Sequence, residues 1–346
     1  MSLQKTLRFG MIGCGALGIV HAQRLNCISG VEIGAVSDPY SPAMDACKNV
    51  TLNPEQVRSF NDYREMLKSC ELDAVCISSP NPWHVEQLLL SVKSGLHALC
   101  EKPLTMNPEE ARQAIEASEA SNLHVAIGYQ SRYRRDSRTL KRVLASGEYG
   151  NINSVNLFAC EDWVTGNLNT WRHDPKLCPA GYFGDANGHQ IDLLLWLTGS
   201  RAERIEASIQ TFGLEVPMLT WGQAVLKSYA SEDASGDKKQ SARHDFPLNF
   251  MFDGVAKYWR EEISIQTDKA DFVMRDTKLY WSNGSAPLAP FPESRRAAED
   301  VEDTPDSAFV SLLRGKQPAV SPPRSVLPVL EFTLAALKSA GWNSQK

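Results

Sequence analysis

Lys102 stands between Glu101 and Pro103 in the stretch LHALCEKPLTM, where an apolar strand pattern runs into a charged pair and a proline. An ammonium there is either a solvated connector or the group that steadies a developing negative charge. Pro103 restricts the backbone of the residue before it and so limits where the lysine can point. A second group lies in GYFGDANGHQIDLLLWLTG, where Asp185, His189 and Asp192 fall at i, i+4 and i+7. That spacing places all three on one helix face, with Ile191, Leu194 and Leu195 on another. An Asp one turn before a His orients the imidazole and favours its protonated form. Such a pair suits the removal of a hydroxyl proton as hydride leaves the same carbon. The competing reading is a solvated polar face with an i,i+4 pair. No cysteine or second histidine joins the trio at a ligand spacing, so no metal site is expected. Trp196, on the face of Asp192, reads as core or as an apolar wall.

A third group is Gly13-x-Gly15-x-x-Gly18 in GMIGCGALG, directly after a strand pattern and at the head of a helical one. The first glycine permits a tight turn, the second lets backbone approach a pyrophosphate, and the third lets helix and strand pack closely. With Ala16 and Leu17 in the opening turn, the phosphates meet unpaired helix N–H groups. Three close glycines also make a plain turn, but here an acid closes the next strand. Asp38 lies twenty residues beyond Gly18 and is placed to bond a ribose diol. No Arg or Lys follows it in DPYSP, and a carboxylate repels a 2′-phosphate, so NAD is expected rather than NADP. In SSPNPWHVE, Ser79, Asn81 and His84 stand after another strand, on the edge where ligands bind in such sheets. They wall a nicotinamide, or else Asn81 caps the following helix and His84 is a surface residue of its first turn. Glu101 is a cofactor-side acceptor or simply a neighbour of Lys102.

The elements that must hold these groups alternate strand and helix as far as about residue 125, the pattern of a parallel sheet with helices on both faces. Asn107, Pro108 and the following glutamates mark one helix start clearly. Beyond about residue 150, strand patterns dominate: INSVNLFAC, RIEASIQTF and a hairpin in DFVMRDTKLYW. SVLPVLEFTLAALKSAGW reads as a closing helix, about residues 325–341. The polar stretch 229–245 and the run SNGSAPLAPFPESRRAAEDVEDTP read as loops or a hairpin excursion. The expected division is therefore an α/β domain over 1–126 and an α+β domain over 127–346.

The chain has 346 residues, 42% hydrophobic and 22% charged, with a net charge of −5. That balance points away from nucleic acid and anionic membranes as partners. No run approaches the ~18 apolar residues of a membrane span, and no signal peptide is evident. Eight cysteines without a CxxC pair fit a reduced, cytoplasmic protein.

The glycine fingerprint, PNPWHVE, EKPL and the Asp-x-x-x-His stretch stand in an order that resembles the glucose–fructose oxidoreductase / inositol dehydrogenase / rhizopine catabolism (Gfo/Idh/MocA) family, along essentially the full length. VAIGYQSRYRR, SGEYGNINSV and WRHDP add local matches. The resemblance implies a Rossmann domain followed by a large open, mostly antiparallel sheet that supports homodimers or homotetramers. It implies that Lys102 steadies the substrate hydroxyl, that Asp185 and His189 form the acid–base pair, and that Asp192 faces substrate. Arg132, Tyr133, Trp163 and Arg172 fall at substrate-pocket positions, and the Lys102–Pro103 bond is expected to be cis. Two departures from the family pattern stand nearby: PAG at 179–181 and Asn187 two residues after Asp185. The implied activity is NAD-dependent oxidation of a secondary hydroxyl of a sugar or polyol. Two alternatives share the fold: a glycoside hydrolase working by transient oxidation, and a non-catalytic NAD-binding regulator.

Overall fold

The computed structural model describes residues 5–228, 244–297, 303–316 and 319–342, so the polar stretch 229–245 lies almost wholly outside the described residues. The chain divides into two compact units, Met1–Tyr129 with Glu302–Val326, and Gln130–Val301 with Leu327–Lys346.

The first unit is built on six parallel strands, β1 (Leu7–Ile12), β2 (Val31–Ser37), β3 (Arg58–Phe60), β4 (Ala74–Ile77), β5 (His97–Cys100) and β6 (Val125–Ile127). Their order is β3-β2-β1-β4-β5-β6, which reverses direction beside β1. The helices between them are α1 (Ala16–Asn26), α2 (Ser41–Lys48), α3 (Tyr63–Ser69), α4 (His84–Lys93) and α5 (Pro108–Ala120). β4 is buried at every position, the mark of a parallel strand covered on both faces. α5 begins as the sequence predicts, with the Asn107 side chain accepting from the Glu109 N–H and Pro108 in the first turn.

In the second unit, α6 (Arg135–Ala145) leads into β7 (Ile152–Asp162), followed by the short helices α7 (Trp163–Gly166), α8 (Gly181–Asp185) and α9 (Gly188–Thr198). Then come β8 (Ser200–Gln210), β9 (Leu219–Ser228), β10 (Asp245–Asp253), β11 (Val255–Thr267), β12 (Asp271–Arg275), β13 (Lys278–Ser282) and β14 (Ala289–Pro290). Among the described residues these strands form one sheet, antiparallel except where β7 and β10 run parallel. The expected hairpin is β12–β13, turning through Asp276 and Thr277, both at positive φ. β10 alternates cleanly: Phe246, Leu248, Phe250 and Phe252 are buried, while Pro247, Asn249 and Met251 are exposed. Phe250 meets Phe183 of α8 and Phe332 of the closing helix α11 (Val326–Ser339), at ring separations of 6.5 and 5.4 Å.

Between these stands α10 (Pro305–Leu313), a helix the sequence reading did not resolve. Thr304 and Ser307 cap it reciprocally, with Pro305 in its first turn. Its residues belong to the first unit, so the division at 126/127 is corrected: the chain returns to the parallel sheet before it ends. Apolar burial draws it back, since Phe309, Val310 and Leu312 join Phe9, Met11, Val36 and Leu99 in one cluster. Phe309 meets Phe9 edge-on at 6.2 Å. Farther along, Ser321 bonds Ile127 through the backbone (2.9 Å) and through its hydroxyl (2.6 Å), covering the β6 edge.

Candidate functional site

In the first unit, β1 delivers the chain to Gly13, whose φ of +91° L side chains rarely adopt, and a Cβ there would lie 2.5 Å from the Ser79 nitrogen. A Cβ at Gly18 would lie 2.2 Å from the Gly13 carbonyl oxygen. These two glycines are required by the close passage of β1, α1 and the Ser78–Ser79 loop. Gly15 is different, because nothing stands within 4 Å of a Cβ built there. It opens α1 with no side-chain cap, so the first-turn N–H groups border open space. That is the cradle a pyrophosphate needs, and it fits a dinucleotide. Ala16 and Leu17 form the exposed start of the helix. Asp38 binds the loop from the other side, accepting from Cys14 N–H and Tyr40 N–H at 2.9 Å each. Each of its oxygens keeps a lone pair for a further hydroxyl.

Lys102 follows the end of β5 and is buried, as is Glu101. The Lys102–Pro103 bond is cis, as the resemblance implies. Glu101 accepts the Lys102 N–H at Oε2 (3.1 Å) and faces His21 Nε2 through Oε1 (3.1 Å). His84 stands in the first turn of α4 but is no surface residue. It is 1% exposed, with Nδ1 2.9 Å from the Pro103 carbonyl and Nε2 2.7 Å from that of Ser79. It is therefore a buried tie between the Ser79 loop and the Lys102–Pro103 loop. Burial pushes its pKa down, against the pull of the two carbonyls. The Ser79 hydroxyl donates to Gln87, and Asn81 begins a short 3-10 turn ahead of α4 rather than capping that helix directly.

In the second unit, Asp185 and His189 do not share one continuous helix. Asp185 closes α8 and His189 is the second residue of α9. The break falls at Ala186–Asn187, where both Asn187 nitrogens donate to the Tyr182 carbonyl, from the backbone at 3.3 Å and from the side chain at 3.0 Å. Gly184 and Gly188 flank it with poor helix formers. Asp185 is buried and accepts from Arg172 Nε at 2.7 Å, and that guanidinium stacks on Trp171. His189 is half-buried.

Asp192 and Arg132, both expected at the substrate, form a buried ion pair. Arg132 Nε and Nη2 reach the two Asp192 oxygens at 2.8 and 2.5 Å, with Asp192 only 1% exposed and Arg132 6%. Burial pushes the Asp192 carboxyl up while Arg132 pulls it down. Trp196 is no bare wall: the Arg132 guanidinium and the Lys141 ammonium each lie 5.7 Å from its ring centre. Trp163 is buried against His173 and Tyr182, and Tyr133 is buried too. The sequence reading missed His21 and Asp306. His21 sits in the helix already identified, but its partner is 285 residues away, beyond any local signal.

A family model described as an oxidoreductase family with an NAD-binding Rossmann fold matches residues 7–129, and the GFO/IDH/MocA C-terminal domain matches 137–237. The rhizopine catabolism protein MocA of Rhizobium meliloti is 30% identical over 207 residues, 59% of this chain and 62% of that protein. An inositol 2-dehydrogenase of Corynebacterium glutamicum is 27% identical over 230 residues, 63% of each chain. The matched stretches thus span less than two thirds of those relatives. The WlbA dehydrogenase of Chromobacterium violaceum, solved in complex with NADH and UDP-GlcNAcA, has the same fold. It superposes with a TM-score of 0.77 at 21% identity, over 99% of this chain and 95% of that one.

Proposed function

The chain belongs to the Gfo/Idh/MocA oxidoreductase family, and on that premise we propose that it is an NAD-dependent dehydrogenase acting on a secondary hydroxyl of a sugar, polyol or sugar derivative. The observation that carries this reading is in the first unit: a buried lysine at the carboxyl end of β5 and an open glycine cradle at the carboxyl end of β1. Ligands bind at that edge of a doubly wound sheet, beside the reversal of strand order. The printed names of the relatives, inositol 2-dehydrogenase among them, support the substrate class.

A bound nicotinamide dinucleotide supplies the hydride acceptor. Gly13, Gly15, Ala16, Leu17 and Gly18 hold its pyrophosphate, and Asp38 takes a ribose hydroxyl, which favours NAD over NADP. In the proposed division of labour, His189 removes the proton from the reacting hydroxyl. Asp185 orients that imidazole, and Arg172 fixes the Asp185 carboxylate. The Lys102 ammonium stabilises the oxyanion as charge develops on it.

Free cysteines support a reducing cytoplasmic setting; among the described residues no helix is long and apolar enough to cross a membrane. The exposed face of the second sheet, with Met251, Tyr258 and Trp259 outward, supports assembly into homodimers or homotetramers. Light scattering on the purified chain tests this; a monomer at micromolar concentration rules it out.

The activity is tested by incubating the protein with NAD and a panel of sugars, inositols and aryl glycosides while recording NADH and released aglycone. NADH formation supports the dehydrogenase, aglycone without NADH moves the assignment to a redox-assisted hydrolase, and dinucleotide binding with neither product moves it to a regulator. Lys102→Met and His189→Ala should each lower kcat by roughly 100-fold or more. Full turnover in both would refute the residue roles.

A further inference from the structure

Behind Lys102, and outside the groups assigned above, the first unit buries a cluster of titratable side chains. His21, on the inward face of α1, is 2% exposed. Its Nδ1 lies 2.7 Å from Asp306 Oδ1 and its Nε2 3.1 Å from Glu101 Oε1. Ionised carboxylate oxygens only accept hydrogen bonds, so a ring between two of them donates from both nitrogens and is an imidazolium. Arg24, one turn along α1, approaches Asp306 Oδ2 at 3.5 Å, so two cations face two carboxylates. Around them stand Cys76 on β4 and Cys100 at the end of β5, whose thiols burial pushes up and keeps neutral. Burial alone would strip the proton from His21; the bonds to Asp306 and Glu101 retain it, and the ring lies well above its usual value.

The cluster leads to Lys102 through one carboxylate. Glu101 Oε1 faces His21, while Oε2 accepts the Lys102 N–H. Its remaining side is closed by Gly128, where a Cβ would lie 2.4 Å from Oε1. Glu101 therefore sits between a wall that admits only glycine and a charged ring that is itself held by Asp306.

We propose that His21, braced by Asp306, is a positioning residue that fixes Glu101 and through it the backbone of Lys102. Asp306 comes from α10, so the returning segment acts on the strand-end lysine through two side chains. The functional consequence rests on the dehydrogenase reading of Lys102; the positioning itself does not. The His21, Cys76 and Asp306 ligand-type atoms also lie within 4.8 Å of one another, a spacing a metal ion would accept. In this proposal the protons on His21 occupy that place.

The test uses the full chain labelled with 15N at histidine and lysine. The wild type should show both His21 ring nitrogens protonated at pH 7.5. His21→Phe should shift the Lys102 amide while amides of lysines distant from the cluster stay put. On a substrate that the wild type oxidises, His21→Phe and Asp306→Asn should lower kcat about 10- to 100-fold, the range that a small misplacement of a reacting group produces. The dissociation constant for NAD should be unchanged, and Asp306→Glu should restore part of the loss. If His21→Phe fails to fold, Asp306→Asn carries the same measurements with the ring still in place. A neutral His21 ring, a Lys102 amide unmoved in both variants, or a zinc-induced shift of the His21 signals would overturn the proposal. A wild type inert on every substrate would sink the dehydrogenase reading instead, and the ring and amide signals would still decide the positioning role.

Discussion

Breaking the Arg132–Asp192 pair from either side should have different consequences at different pH. With Asp192 1% exposed and Arg132 6%, water screens neither partner. Removing one member of such a pair costs about 3–5 kcal/mol, mostly as the uncompensated charge left behind. Asp192→Asn leaves a guanidinium that cannot discharge below pH 12, so this pair gives that variant's own stability no pH dependence between pH 5 and pH 7. Arg132→Met leaves a carboxylate that can take up a proton. Burial already pushes the Asp192 carboxyl up against the pull of Arg132, and without that pull it rises further. An aspartate titrates near 4 in the unfolded chain. With the folded value raised, the stability is present in full below that pH and is lost as pH rises toward the folded value. The loss grows by about 1.4 kcal/mol for each pH unit between the unfolded and the folded value. Urea unfolding of the wild type, both single variants and Arg132→Met/Asp192→Leu at pH 5, 6 and 7 gives the differences, with other titrating groups cancelling between Arg132→Met and Asp192→Asn. The double variant, lacking both charges, should recover most of the loss. Equal losses in the two single variants, unchanged with pH, would refute the account of this pair as a desolvated bridge.

Three further outcomes are expected. Gly13→Ala should lower the unfolding midpoint, because it strains a φ of +91° and presses on the Ser79 backbone, whereas Gly15→Ala should leave the midpoint alone and weaken NAD binding about tenfold or more; calorimetry and dinucleotide titration separate the two. Asp38→Ser should raise the NADP-to-NAD preference by removing the carboxylate that repels a 2′-phosphate, read as the ratio of the two dissociation constants. Burial, and then repulsion from Arg132, hold the Lys141 ammonium down to about 8, so acetylation of Lys141 should show a midpoint near that pH and only a small rise in Arg132→Met, which removes the lesser of the two causes.

What could be read in the sequence was local. The glycine turn, the N-cap at Asn107, the strand–helix alternation and the hairpin through Asp276–Thr277 are each set within a few residues. The single-face placement of Asp185, His189 and Asp192 presupposed an unbroken helix, and the Asn187–Tyr182 bonds interrupt it. Asp192 looked available because its partner, Arg132, lies 60 residues earlier. His84 occupies the first turn of α4, as its sequence position says, but the closeness of two carbonyls from separate loops leaves no mark in the string. α10 escaped notice because a polar run hides its start, and what it packs against was laid down some 300 residues before.

That last separation bears on how the protein comes into being. The first unit needs Phe309 on Phe9 and Asp306 on His21, yet Glu302 follows Tyr129 by 173 residues. At roughly 5–20 residues per second of synthesis, the N-terminal sheet waits about 9–35 seconds with an apolar surface unclaimed. A gene cut after Tyr129 to obtain a minimal nucleotide-binding fragment would yield that waiting state permanently. The segment that completes the first unit is thus made only after most of the second.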